Sequence, residues 1–160
     1  MSMIGTCIWY NGTAEEAAEF YCGIIPNSKV IEKKYYLEGG PGVVGSVLTV
    51  LFTLDGTEYL ALNGGPHYPL TPAMSIMVYC DTQDEVDRYW NALSEGGEEG
   101  QCGWLVDRFG LSWQIVPRIM MNYLNTADVV ASQRAWNAMI SMRKLDIATI
   151  EAAYRGEPTN

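Results

Sequence analysis

Short runs rich in β-branched and aromatic residues predict strands at residues 4–10, 29–36, 46–54, 57–63, 73–79, 104–106 and 111–116. Asp55-Gly56 joins two of them and reads as a tight hairpin turn. Helical periodicity predicts amphipathic helices over 13–24 and 82–94. Two further helices are predicted over 126–142 and 146–155, with Thr126 and Asp146 as N-caps and Gly156 as the stop. Ala135, Met139 and Met142 form one apolar stripe on the first of these, so this C-terminal part reads as a helical appendage that packs on the rest or on a second subunit. A strand just before Cys102 is either absent or merged into the Gly-rich segment 96–103.

The pattern repeats. Thr13-Ala-Glu-Glu16-Ala17 with Phe20-Tyr21 matches Thr82-Gln-Asp-Glu85-Val86 with Tyr89-Trp90 at a constant spacing of 69 residues. Each copy opens with a capping box, Thr followed three residues later by Glu. Each is preceded by a strand and followed by two or three more. The chain therefore reads as α+β: two βαβββ modules, about 1–70 and 71–117, in one domain of residues 1–117, then the appendage 118–160.

Strand alternation assigns two faces to the sheets. Cys7, Trp9, Leu48, Val50, Phe52, Leu60, Leu62, Ile76, Val78, Trp113 and Ile115 are expected beneath the helices. The opposite face is expected to carry Thr6, Ile8, Tyr10, Thr49, Leu51, Thr53, Tyr59, Ala61, Asn63, Ser75, Met77, Tyr79, Ser112, Gln114 and Val116. That second set has no Asp, Glu, Lys or Arg, and mixes hydroxyl, amide and apolar groups as small-molecule cavities do. The candidate ligand-binding residues are Thr6, Ile8, Thr49, Asn63, Ser75, Met77, Tyr79, Trp104 and Gln114. Cys102 joins them because a Gly-rich loop offers its thiol access.

Composition narrows the function classes. Ten basic and nineteen acidic residues leave a net charge of −9, which argues against nucleic acid and anionic membrane surfaces as partners. No apolar run reaches the roughly 20 residues of a membrane span. Residues 1–10 have no basic start and no long apolar run, so no secretory leader is expected there, and no lipidation signal is expected from residues 157–160. The four cysteines form no Cys-x-x-Cys pair and there is one His, His67, in a loop, so a structural zinc site is not expected and a reduced, cytoplasmic protein is. Glu95, Glu98 and Glu99 read as a solvated acidic loop, and Asp107-Arg108-Phe109 as a structural turn.

The runs Leu62-Asn63-Gly64-Gly65-Pro66, Cys102-Gly103-Trp104 and Phe109 to Pro117 resemble the PhnB-like family, as do Trp9-Tyr10, Ala14-Glu15-Glu16-Ala17, Phe20-Tyr21 and Pro26-Asn27-Ser28. That family carries the label 3-demethylubiquinone-9 3-methyltransferase and falls in the vicinal oxygen chelate superfamily with glyoxalase I, bleomycin-resistance proteins and extradiol dioxygenases. The resemblance implies paired modules that curl into half-cups, and a homodimer. It assigns divalent-metal ligands to the first and last strands of each module, here near Thr6, Ala61, Ser75 and Gln114, with Asn63 as an alternative to Ala61. None of these is His, Asp or Glu, so no metal cofactor is expected. The label's methyl transfer is not favoured either: Gly39-Gly40-Pro41-Gly42 leads toward a strand and Gly96-Gly97 follows a helix, so neither opens a helix that receives a cofactor. The expectation is a metal-independent small-molecule-binding protein. A glyoxalase-type metal-dependent lyase, isomerase or dioxygenase is the first alternative, the labelled methyltransferase the second, and a ligand-free structural dimer the third.

Overall fold

A computed structural model of the chain describes residues 3–124 and 126–158. Met1, Ser2, Asn125, Thr159 and Asn160 lie outside them, so the readings of the two chain ends fall partly beyond the described residues. The chain divides into two compact units between Leu70 and Thr71.

The first unit runs β1 (Thr6–Tyr10), α1 (Ala14–Ile24), β2 (Lys29–Tyr35), β3 (Val47–Leu54) and β4 (Thr57–Asn63). Its sheet has the order β1-β4-β3-β2, with β1 parallel to β4 and the other pairs antiparallel. Asp55 and Gly56 both have positive φ, 44° and 76°, as a two-residue hairpin turn of type I′ demands. Helix α1 buries Ala14, Ala17, Ala18 and Tyr21, and small residues at three of those positions let it approach the sheet closely. Tyr21 lies against Phe52, with ring centroids 6.4 Å apart. Burial of each large side chain of this kind stabilises the fold by about 1.5–3 kcal/mol. The outer strand β2 presents Lys29, Lys33 and Lys34 and two register irregularities, which discourage pairing with another edge. Lys33 also holds Glu15 and Glu19 of α1.

The second unit runs β5 (Ser75–Cys80), α2 (Gln83–Ser94), β6 (Glu98–Glu99), β7 (Trp104–Val106) and β8 (Ser112–Pro117), then a short 3-10 turn and helices α3 (Val129–Ser141) and α4 (Ile147–Arg155). Its sheet order, β5-β8-β7-β6, repeats that of the first unit strand for strand. The strand before Cys102 is present as two residues, β6, which pairs with β7. Glu99 is more than a solvated charge, because Trp90 Nε1 donates to its Oε1 at 2.9 Å. Thr82 accepts from Glu85 N and caps α2 as expected, while Glu85 Oε2 accepts from Asp81 N at 2.7 Å.

The C-terminal helices pack within this second unit. Asp128, not Thr126, caps α3 by accepting from Ala131 N; Thr126 bonds Ser132 instead, so the helix begins three residues later than expected. Asp146 caps α4 and Gly156, at φ 75°, ends it. Ala135, Met139, Leu145 and Ile150 form a buried cluster, with Met142 and Cys102 against it. The connecting segment is tied down by Cys102 N to Met142 O at 2.7 Å and Gly103 N to Arg143 O at 2.8 Å. Gln83 closes the contact from α2, with Nε2 donating to Leu145 O and Oε1 accepting from Ile147 N.

Lys144 Nζ lies 2.7 Å from Asp87 Oδ1, and Gln83 Nε2 donates to the same oxygen at 3.0 Å. The Lys144 bond, then the Gln83 bond, holds the Asp87 carboxyl below the usual carboxylate range. A carboxyl depressed by folding adds stability above its unfolded pKa and loses it as the pH falls through its lower folded value. Both side chains are well exposed, so solvent screening limits the pair to about 0.5 kcal/mol. Asp87→Asn is therefore expected to lower the urea midpoint slightly at neutral pH. Parent and variant midpoints should converge as the pH drops below the carboxylate range.

Candidate functional site

Each sheet has one face under its helix and one turned away from it. In the second unit the division follows the expected alternation. Ile76, Val78, Trp113 and Ile115 share the α2 side, where Trp113 and Ile115 are fully buried. Ser75, Met77 and Tyr79 of β5, Ser112, Gln114 and Val116 of β8, and Trp104 of β7 share the other. The register sets Ser75 opposite Ser112, Met77 opposite Gln114, and Gln114 opposite Trp104. Five of the ten candidate residues (Ser75, Met77, Tyr79, Trp104 and Gln114) therefore lie together.

In the first unit the alternation of two strands is reversed. Ile8 and Tyr10 are buried on the α1 side, paired with Ala61 and Asn63, in line with Val50 and Phe52. Thr6 and Tyr59 fall on that side by the same alternation. The face away from α1 carries Cys7, Trp9, Thr49, Leu51, Thr53, Glu58, Leu60 and Leu62. For β4 the reason is the two-residue hairpin, which pairs Phe52 with Tyr59 and Val50 with Ala61 and so sets odd positions of β4 beside even positions of β3; for β1 the reason is one residue. Three residues, Asn11 to Thr13, separate β1 from α1, whereas two, Asp81 and Thr82, separate β5 from α2. The helices match at a spacing of 69, but the strands match at one residue more, and a shift of one turns a strand over. Thr6, Ile8 and Asn63 therefore do not join Ser75 and Gln114 as face-mates, while Thr49 keeps its expected side.

Asn63 has a different task. Its Oδ1 accepts from Ala14 N at 2.9 Å and its Nδ2 donates to Val47 O at 3.0 Å, while its carbonyl accepts from Tyr36 Oη at 2.5 Å. It caps α1, and Thr13 makes no side-chain cap there. Next to it, a Cβ on Gly64 would come within 2.2 Å of the Trp9 ring, so only glycine fits. Gly65 turns the chain at φ 94° and its carbonyl accepts from Trp9 Nε1 at 2.8 Å. Tyr68 meets the Trp9 ring edge-on at 4.9 Å. The run Leu62 to Pro66 is thus a cap and a cover for Trp9. Cys102, at φ 57°, begins a two-residue turn with Gly103 and packs toward the C-terminal helices, apart from the polar face. Partial burial raises its thiol pKa, the opposite of an activated nucleophile. His67 is exposed in the loop after β4.

The chemistry of the second unit's face is neutral and hydrogen-bonding. Gln114 Nε2 donates to Ser75 Oγ at 2.9 Å. Ser112 is 2% exposed, and among the described residues its Oγ has no hydrogen-bond partner. The alternation had put Ser112 on this face, but no sequence signal marks it as unsatisfied. At the face's end, Tyr79 Oη contacts Met77 Sδ and the Arg118 guanidinium lies 5.1 Å from the Tyr79 ring centre.

The donor set does not fit a divalent ion. Thr6 and Ala61 lie on the α1 side, and Ser75 and Gln114 bond each other. In the first unit the strand spacing of 70 sets Gly5 at the place of Ser75 and Cys7 at that of Met77, and the pairing of Cys7 with Leu60 sets Leu60 at the place of Gln114. Neither Gly5 nor Leu60 has a side-chain donor, and Cys7 offers one thiol whose pKa burial raises. These positions offer hydroxyl, amide and thiol without imidazole or carboxylate, and Glu58, facing away on β4 of the first unit, adds one carboxylate, too few for such a cation. Among the described residues no group of three or more His, Cys, Asp or Glu is placed to hold a metal, and no helix is long and apolar enough to cross a membrane.

Comparison with known proteins agrees with this architecture. The profile of the family described as 3-demethylubiquinone-9 3-methyltransferase matches residues 2–116. The crystallised PhnB protein from Bacillus cereus, which carries the same family name, is 33% identical, with a TM-score of 0.67, over 72% of this chain and 99% of that one. Protein PA1353 from Pseudomonas aeruginosa is similar in fold, with 20% identity and a TM-score of 0.60 over 73% of this chain and 98% of that one. Among curated proteins, none matches significantly.

Proposed function

The chain belongs to the PhnB-like 3-demethylubiquinone-9 3-methyltransferase family of the vicinal oxygen chelate superfamily, and from that premise we propose that it binds a small organic molecule on the sheet faces turned away from its helices, without a divalent metal and as a homodimer. The observation that carries this reading is Ser112 Oγ, buried and unpartnered beside the Gln114–Ser75 bond. A buried hydroxyl without a partner costs about 1–3 kcal/mol, which a ligand group that bonds it recovers. Met77, Trp104 and Tyr79 supply apolar surface around that polar centre, the usual make-up of a ligand site. Methyl transfer, the activity in the family's name, draws no support from the Gly-rich segments: 39–42 lie between β2 and β3 and 96–97 between α2 and β6. The four free cysteines fit a reducing compartment, so the proposed location is the cytoplasm.

The test is a native mass spectrum of freshly purified protein, followed by titration of whatever molecule it retains. The expected species is a metal-free dimer. Ser112→Ala and Gln114→Leu should each weaken the retained ligand about tenfold, the effect of roughly 1.4 kcal/mol, while Ser112→Ala, which removes the unpaired hydroxyl, should raise the melting temperature of the ligand-free protein. Binding that a chelator abolishes would overturn the metal-free reading. Unchanged affinity in both variants would overturn the assignment of this face.

A further inference from the structure

The first unit holds a cavity of about 340 Å³ on its own face away from α1. Its walls include Ile4, Cys7, Leu51 and Leu60, with one acidic side chain, Glu58, among them. The register puts Cys7, Leu60 and Leu51 in a row across β1, β4 and β3. Glu58 stands two residues from Leu60 on the same side of β4, about 7 Å along the strand. It is half-buried, and its carboxylate makes no hydrogen bond or ion pair with the described residues. Lys29 is in the same cross-strand row beyond Thr53, yet it forms no ion pair with Glu58.

An opposite charge brought beside a half-buried, unpaired carboxylate next to apolar side chains gains more than it would in open water. The Cys7 thiol, its pKa raised by partial burial, stays neutral at physiological pH and adds no charge of its own. The chain's net charge of −9 concentrates cations near its surface and repels anions. A cavity of this volume is at the small end of ligand sites.

We propose that this cavity takes a small hydrophobic cation, an alkyl- or arylammonium, whose apolar body lies on the Cys7–Leu60–Leu51 row and whose ammonium meets Glu58. The inference rests on the reading of these faces as ligand surfaces and adds the charge and size of the molecule.

Two probes of equal shape test it: 1-naphthylmethylamine, a cation, and 1-naphthylmethanol, which is neutral. Calorimetric titration of the full chain should show the amine binding at least fivefold more tightly. Glu58→Gln should remove that preference and leave the alcohol's affinity unchanged. Raising the salt should weaken the amine alone. Leu51→Trp, which narrows the cavity, should weaken both probes, and equal urea midpoints for the parent and Glu58→Gln establish that the fold is intact. Equal affinities in the parent, an unchanged preference in Glu58→Gln, amine binding that survives Leu51→Trp, or no binding of either probe would each overturn the inference. If a retained ligand still depends on Ser112 and Gln114 in that case, the wider reading stands without it. If that dependence is lost as well, both fail.

Discussion

Replacing Asp107 with asparagine is expected to cost about 3 kcal/mol of unfolding free energy. Asp107 is 3% exposed and lies in the turn between β7 and β8. Its Oδ1 accepts from Phe109 N at 2.8 Å and Leu111 N at 3.0 Å, and its Oδ2 from Trp113 Nε1 at 2.8 Å. Three N–H donors aimed at one carboxylate are what make a buried charge tolerable here. An amide has a single acceptor oxygen, so its NH2 must face either the indole or the turn amides. Each charge-assisted bond lost is worth about 1.5–3 kcal/mol, and the donor-to-donor contact adds to it. Urea unfolding followed by far-ultraviolet circular dichroism measures the loss. Trp113→Phe gives the control, because it removes one donor. The two substitutions together should cost at least about 1 kcal/mol less than the sum of their separate costs. Strict additivity would mean that the indole bond contributes nothing.

Asn63→Ala is the second large effect, expected at about 2–4 kcal/mol. It removes the cap of α1 and leaves two groups, Ala14 N–H and Val47 C=O, without their partner. Thr13 makes no cap bond that could take over. Asn63→Asp should fall between, since it keeps the acceptor for Ala14 but sets an oxygen against the Val47 carbonyl. Midpoints of urea unfolding rank the three proteins, and amide exchange at Ala14 should accelerate most in the alanine variant. If Asn63→Ala were as stable as the parent, the side chain would be free for a ligand after all.

The duplicated fold was legible because it rests on periodicity, caps and a hairpin dipeptide, all local. The far face of the second unit was legible for the same reason, since its alternation runs unbroken through β5 and β8. The far face of the first unit was not. The spacing that aligns Thr13 with Thr82 is one residue short for β1, which sets Ile8 on the helix side, and the two-residue hairpin turns Asn63 of β4 to the same side as Val50 and Phe52. For β6 the sequence left open a strand absent or merged into 96–103, because two residues carry no period to decide it, and the second holds. Thr126 and Asp128 compete as caps within three positions, and what decides is tertiary: Thr126 is drawn to Ser132 and Tyr154. Ser112 Oγ and the Glu58 carboxylate stand out only by the partners they lack, and no sequence pattern records a missing partner.

The extra residue between β1 and α1 has an evolutionary meaning. After a duplication, point mutations must change a surface one side chain at a time, and each change is limited by the core behind it. A single codon gained or lost in the loop at Asn11-Gly12 acts on the whole strand at once, exchanging the residues that face the helix for those that face away. Two halves that began identical come in this way to offer unlike first strands in one event, Cys7 and Trp9 facing away on β1 and Ser75, Met77 and Tyr79 on β5. Relatives that differ in the length of this loop should then differ in what they bind more sharply than their overall identity suggests.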